Sequence, residues 1–454
     1  MSGTERTTLN KLHIKFLSVI AAGPLMCAHT ALAEDLTLLG GDLTSDANPN
    51  FAVTLPAPNI SSEEARQFHL EGFVGFNRNF SGDKIDGRPI IGPAFNHNAC
   101  GSCHVGDGKG RIGFPKDADG SAMIIKVSLR GLNVDGSPRN VRRLGGEQLQ
   151  DRRPNGRRRF RIKLGYRELQ GVYPDGEEYS LRKPVLSFKI PGLSEERAKR
   201  LVHSLRMTPP VIGMGLLESI PVEVLEALAD PFDQDQDGIS GKISYVPNLE
   251  TGQLEVGRFG FRASQPTVKQ QSAAAFFNDM GMSNEVFFDA AQGLEVSPFL
   301  MDSVVFYQQA AGVHRARNQD DPDVIAGRSI FKRIECDDCH VMTLTTAQGS
   351  VTETSDQVFH PFTDLLLHDM GPGLADRRKE FSASGREWRT TPLWGLGILN
   401  ELNSIDPSFL HDGRARNLEE AILWHGGEAK KSRQNFKFLT KGERRQLIKF
   451  LQSL

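Results

Sequence analysis

Apolar positions recur along this chain in three rhythms. The first is an apolar run from Phe16 to Ala33, preceded by Lys11 and Lys15 and followed by Glu34-Asp35. Its Ala31-Leu-Ala33 end has the small-residue pattern of a secretory signal, so residues 1–33 are expected to be cleaved off after Ala33 and the remainder exported to the periplasm. The rival reading, an uncleaved anchor, is weakened by Gly23-Pro24 and His29, which interrupt the run. Met26 before Cys27 is too large for a lipoprotein signal. No later stretch approaches the roughly 18 apolar residues of a membrane span, so none is expected.

The second rhythm is helical. Glu71-Gly-Phe-Val-Gly-Phe76 and Ala326-Gly-Arg-Ser-Ile-Phe331 repeat apolar residues at helix spacing, and residues 439–454 do so behind a capping signal, Thr440 with Glu443. A helix over about 268–281 places Gln271, Ala275 and Asp279 on one face. The third rhythm alternates: Met123–Leu129 and Val185–Ile190 read as strands and Tyr173-Pro-Asp-Gly176 as a turn, which predicts a β-rich insertion at about 120–195. Residues 298–322 read as the connection between two halves, 34–300 and 301–454.

Length supports that division, because 454 residues exceed what one core usually holds. A net charge of -2 gives the whole protein no attraction to nucleic acid, and no nucleic-acid partner is expected. One patch departs from this balance: Arg142, Arg143, Arg152, Arg153, Arg157, Arg158, Arg159 and Arg161 are interrupted only by Glu147 and Asp151 among acids. It is either a docking face for an acidic partner or membrane surface, or a solvated loop. Asp233, Asp235 and Asp237 before Gly238 open like a calcium-binding loop, with Ser244 where a bidentate glutamate would stand, so a calcium ion and a plain acidic turn are the two readings.

Without Cys27, four cysteines remain, all within Cys100-Gly-Ser-Cys103-His104 and Cys336-Asp-Asp-Cys339-His340. Two thioether bonds to a porphyrin need cysteines about one turn apart, and the next residue must bring an imidazole beneath the iron. Zinc and thioredoxin-like dithiols use similar pairs, but zinc pairs lie closer together and a dithiol needs no histidine at a matching offset. Two covalently bound c-type haems are therefore expected, with His104 and His340 as proximal ligands. Gly108-Lys-Gly110-Arg-Ile-Gly113 spells a dinucleotide fingerprint but follows no strand, so it reads as a glycine-rich loop. The expected fold is mainly α: two cytochrome c-like haem domains with the β-rich insertion in the N-terminal half.

Four further segments carry a resemblance. With the two motifs, Phe362-Thr-Asp-Leu-Leu-Leu-His368-Asp-Met-Gly371, Arg389-Thr-Thr-Pro-Leu393, Leu410-His-Asp-Gly-Arg414 and Leu418-Glu-Glu-Ala421 resemble the bacterial di-haem cytochrome c peroxidases, most strongly over roughly the last hundred residues. Gly213-Met-Gly-Leu-Leu-Glu-Ser-Ile-Pro221, Gln265-Pro266, Asp279-Met-Gly281 and Trp424-His-Gly-Gly427 are similar to the di-haem oxidoreductase branch, often labelled thiol oxidoreductase, over most of the mature chain.

The resemblance implies that one haem collects electrons from a small donor, a cytochrome c or cupredoxin, while the other meets hydrogen peroxide. It implies cofactor contacts from His368, Arg389 and Arg414, a homodimer as the assembly, and a catalytic Asp279, with Gln271 beside it on the helix; a solvent-facing helix-end aspartate is the alternative. Counting from Leu418, the second ligand of the C-terminal haem falls on His425 where the peroxidases have methionine, which argues for a lower potential. Met370 is the rival ligand. For the N-terminal haem, His203, Met207 and Met214 are all candidates. Phe259 or Phe261 stands where relatives place an inter-haem tryptophan, so stored-radical chemistry is not expected, while Trp388, Trp394 and Trp424 either wall the second pocket or pack the core. The leading expectation is a periplasmic peroxidase. An electron carrier with both irons six-coordinate and an oxygenase modifying a partner protein are the alternatives.

Overall fold

The computed structural model describes residues 35–108, 110, 112–114, 123–141, 146–155, 157, 159–398 and 408–454. The expected signal segment therefore lies outside the described residues, as do Lys109 and Arg111 of the glycine-rich loop and Arg142, Arg143 and Arg158 of the arginine run. Among the described residues no helix is long and apolar enough to cross a membrane.

Helix α1 (Glu63–Asn77) begins where the Ser62 hydroxyl accepts from the Ala65 amide, with Glu63 and Glu64 in the first turn favoured by the helix dipole. It packs on α3 (Pro298–Ala310), and the contact needs a residue without a side chain, since a Cβ on Gly72 would stand 2.0 Å from the Ser303 carbonyl oxygen. The second motif is built the same way. Helix α4 (Pro322–Arg333), capped by Asp321, crosses α7 (Lys441–Ser453) at Gly327, where a Cβ would lie 2.1 Å from the Gln446 carbonyl oxygen. Each of these glycine crossings precedes a Cys-x-x-Cys-His turn, and α7 starts with the expected capping box, Thr440 and Glu443 each bonded to the other's backbone. Between α1 and α3 in sequence lies α2 (Val268–Met280), capped by Thr267 and buried along most of its length.

The strand content corrects the expectation of a mainly α protein. The chain is 30% helical and 21% strand, in many small sheets, which makes it mixed α and β. Strand β1 (Met123–Leu132) pairs antiparallel with β4 (Leu201–Met207), from Met123 opposite Met207 to Leu129 opposite Leu201. Between them, β2 (Arg161–Val172) and β3 (Glu178–Lys189) form a two-stranded ribbon paired over twelve positions. Only Val185–Ile190 of that ribbon was expected, because Arg161-Ile-Lys-Leu-Gly-Tyr166 alternates between cations and apolar residues that the arginine run hides in sequence. Likewise the supposed connection after Pro298 is α3, a core helix with Pro at its first turn. A further short pair, β5 (Leu367–Asp369) and β6 (Glu387–Arg389), sets His368 opposite Trp388.

The ribbon's tip fastens onto the C-terminal half. Tyr173 is buried, donates its hydroxyl to Glu419, and lies beneath Arg444, whose Nη2 donates to Asp175 at 2.8 Å and Glu177 at 2.6 Å. Arg182 of β3 donates to the carbonyls of Arg414 and Gly413 at 2.8 and 3.1 Å. Residues Leu36–Leu454 accordingly form one body.

The crossings predict that Gly72→Ala and Gly327→Ala each lose about 1–3 kcal/mol through overpacking. Gly82→Ala, where a Cβ meets nothing within 4 Å, should stay within about 0.5 kcal/mol of the parent. Chemical denaturation of the three variants checks this, and equal losses would refute the crossing as the constraint.

Candidate functional site

Both cysteine motifs are single tight turns. The amides of Cys103 and His104 each donate to the Cys100 carbonyl at 3.0 Å, and His340 repeats the bond to Cys336 at 3.0 Å. Such a turn brings both thiols and the imidazole to one side. In the first motif the middle residue must be glycine, because a Cβ on Gly101 would meet Asn77 Oδ1 at 2.2 Å. None of these four cysteines is in a disulfide; all are half-buried, and they line two cavities.

The first cavity, about 1720 Å³ including its open mouth, is lined by Cys100, Cys103 and His104 on one side and by Gln271, Ala275 and Asp279 of α2 on another. Burial pushes the His104 imidazole down to about 4, and its Nδ1 completes no hydrogen bond although the Pro209 carbonyl is near. Asp279 faces the cavity and not solvent; burial raises its carboxyl to about 6 against the pull of Gln148, whose Nε2 donates to Oδ1 at 2.5 Å. Met207 and Met214 line this cavity, whereas His203 is exposed on β4 against Phe188 and does not.

The second cavity, about 1520 Å³, is lined by Cys336, Cys339 and His340, with Leu418, Leu447 and Leu451 among its apolar walls. His340 Nδ1 donates to the Phe362 carbonyl at 2.9 Å, which leaves Nε2 as the free nitrogen. His425, at the C-terminal end of α5 (Leu418–Trp424), is fixed likewise by donating Nδ1 to the Ala421 carbonyl at 2.8 Å. Burial pushes His340 down to about 4, and His425 is close enough to add to that shift. Burial lowers His425 as well, so both imidazoles are neutral. Met370 also lines this cavity.

His368, at the same cavity's edge, is opposite in character. Asp364 accepts from its Nε2 and Glu428 from its Nδ1, each at 2.8 Å, and although burial opposes the charged form, Asp364 above all holds its pKa well above the usual histidine value. Arg414 is not brought to either lining: its guanidinium is spent on Asp412 and the Gly373 carbonyl.

The two cavities touch. Pro209, Pro210, Phe261, Arg389, Thr391 and Pro392 line both. Arg389 is buried, donates only to the carbonyls of Gly260 and Thr390, and forms no ion pair among the described residues. Burial pushes its guanidinium down to about 10 against the opposing charge of Asp364. A buried cation bonded only to carbonyls, two neutral imidazoles with free nitrogens and thiols lining the chambers suit an anionic, metal-bearing macrocycle.

Of the tryptophans, Trp388 walls the second cavity, Trp394 lines the first, and Trp424 lines neither. Sequence reasoning missed the stack of His411 on Trp388, with centroids 3.6 Å apart and planes at 13°, under the guanidiniums of Arg262 and Arg206. It also missed Lys126, Glu147 and Gln148 in the first cavity, which only strand register brings there. Asp233, Asp235 and Asp237 converge with carboxylate oxygens within 4.8 Å of one another on an exposed turn. Calcium takes about 6–8 oxygens, so these three would leave much of its shell to water or backbone.

A family described as "di-haem oxidoreductase, putative peroxidase" matches residues 35–121, 143–294 and 288–454. No curated protein and no solved structure matches. The matched residues take in both cysteine motifs, the lining of the second cavity and that of the first apart from Ile124 and Lys126, and the chain belongs to the di-haem oxidoreductase family.

Proposed function

We propose that this chain is a periplasmic c-type di-haem peroxidase, exported by a signal cleaved after Ala33, which reduces hydrogen peroxide to water with electrons from a small donor such as a cytochrome c or cupredoxin. Cys100 and Cys103 would hold one haem by thioethers with His104 on its iron, and Cys336 and Cys339 the other with His340. The observation that carries this reading is the common wall. Two cavities, each built on a Cys-x-x-Cys-His turn, meet through Phe261 and Arg389, and Asp279 faces the first.

When bound, the haems would supply one-electron transfers and the iron centre at which the peroxide bond is broken. One peroxide takes up two electrons and two protons to give two waters. Asp279, as the carboxylate, takes the proton from the near peroxide oxygen and returns it to the leaving one, and a pKa about one unit below neutral suits a base working at pH 7. Gln271, two turns earlier on the same helix face, offers an amide to orient the peroxide. Arg389 would face carboxylates of either macrocycle. In the second cavity His425 Nε2 would be available as a second imidazole for the iron that His340 would hold, and imidazole in place of a thioether favours the ferric state. Phe261, in the wall, is hard to oxidise, which speaks against the oxygenase alternative and its stored radical.

Asp279→Asn should lower kcat/KM for peroxide about 10²–10⁴-fold with both haems retained. In the parent enzyme activity should fall as pH drops through about 6, because the base becomes protonated. Peroxide-dependent oxidation of a reduced cytochrome, after one-electron pre-reduction, is the assay. Its absence from the parent enzyme would exclude the peroxidase and favour the electron carrier.

His425→Met should convert one haem from bis-imidazole to imidazole-thioether ligation and raise its midpoint potential. Near-infrared magnetic circular dichroism with potentiometry reads both. An unchanged spectrum and potential would transfer the ligand role to Met370.

A further inference from the structure

The Asp279 carboxylate is governed by a layer that belongs to the β-sheet. Segment 146–149 lies beside β1, with the Val127 amide donating to the Glu147 carbonyl at 2.8 Å, the Leu149 amide donating to the Ile125 carbonyl at 2.9 Å, and Lys126 bridged to Gln148. Gln148 is 2% exposed and its amide nitrogen meets three acceptors: Asp279 Oδ1 at 2.5 Å, Asn96 Oδ1 at 2.8 Å and the Asn278 carbonyl at 3.1 Å. The Asn96 and His97 amides donate to the Asp279 carbonyl at 2.6 and 3.2 Å, which anchors the backbone that carries the carboxylate.

Beside Gln148, Lys126 Nζ pairs with Glu147 at 2.9 Å and lies 3.6 Å from Glu380. Glu380 is held in turn by Arg206 at 3.2 Å and Arg378 at 2.6 Å. Lys126, Glu147, Arg206 and Glu380 all line the cavity that Asp279 faces. The thiols of Cys100 and Cys103 and the imidazoles of His97 and His104 line the same cavity, and thioether formation would remove the thiols from titration.

We propose that Gln148 is a positioning residue for Asp279, and that the Lys126–Glu147 pair sets the pH at which Asp279 gives up its proton. This rests on the assignment of Asp279 as the proton-moving group. The amide of Gln148 donates only to the charged, accepting form and so favours carboxylate. Lys126 favours it by charge and Glu147 opposes it, while burial raises the group overall. Removing Gln148 or Lys126 must therefore raise the proton affinity of Asp279, and neutralising Glu147 must lower it.

The test uses the haem-loaded protein with Gln148→Met, Lys126→Met and Glu147→Gln. The carboxyl C=O infrared band absent from Asp279→Asn is titrated against pH, alongside the pH profile of peroxide reduction. Gln148→Met and Lys126→Met should move both titration and acid limb up by about one pH unit, which is about a tenfold loss of rate well below the limb. Glu147→Gln should move both down. Opposite shifts from Lys126→Met and Glu147→Gln cannot come from general damage, and both residues are partly exposed, so they decide the matter even if Gln148→Met folds poorly. A titration unmoved by Lys126→Met, or moved the same way by Lys126→Met and Glu147→Gln, overturns the proposal. A parent enzyme that fails to reduce peroxide overturns the reading of the reaction instead, and the infrared titration still decides this one.

Discussion

A guanidinium buried with no carboxylate bonded to it is one of the costlier arrangements a protein can hold, and the wall between the two chambers carries one. Arg389 lies between two chambers, satisfied only by carbonyls, and its own amide donates to the Phe261 carbonyl at 3.0 Å so that the two main wall residues are tied together. The same short strand pairs with β5, which carries His368, so the wall and the rim of the second chamber move as one piece. An anion arriving in either chamber meets a cation already in place, with no reorganisation left to do.

Three of the four histidines that line the second chamber show how partners decide charge. His340 and His425 each donate to a backbone carbonyl and sit among leucines, so burial keeps them neutral with one nitrogen free. His368, only a short distance along the same lining, has a carboxylate on each nitrogen and is held as the cation. Identical side chains thus serve as a metal-facing base and as a structural ion because their acceptors differ.

What could be read from the sequence was what lies close together in the chain. The Cys-x-x-Cys-His turns, the Thr440–Glu443 cap and the shared face of Gln271, Ala275 and Asp279 depend on spacings of a few residues, and spacing is visible. Gln148 and Lys126 come together only through pairing beside β1, and His411 reaches Trp388 across a loop, so no local pattern marks them. Residues 298–322 read as a connection in sequence, yet Pro298 stands at the first turn of α3, where its missing N–H has no partner to lose. The ribbon was half missed as well. One of its faces is solvated, and its strands alternate cations with apolar residues, a pattern that looks like a charged loop until the pairing partner is known.

The ribbon's fastening also governs the order in which the molecule can be completed. Tyr173, Asp175 and Glu177 find their partners at Glu419, Lys441 and Arg444, close to the C-terminus. Contacts this distant in sequence close late, since a very long loop must be ordered first. A chain emerging N-terminus first therefore holds this arm undocked until α7 has appeared, so the last helix made is the one that fastens the insertion to the body.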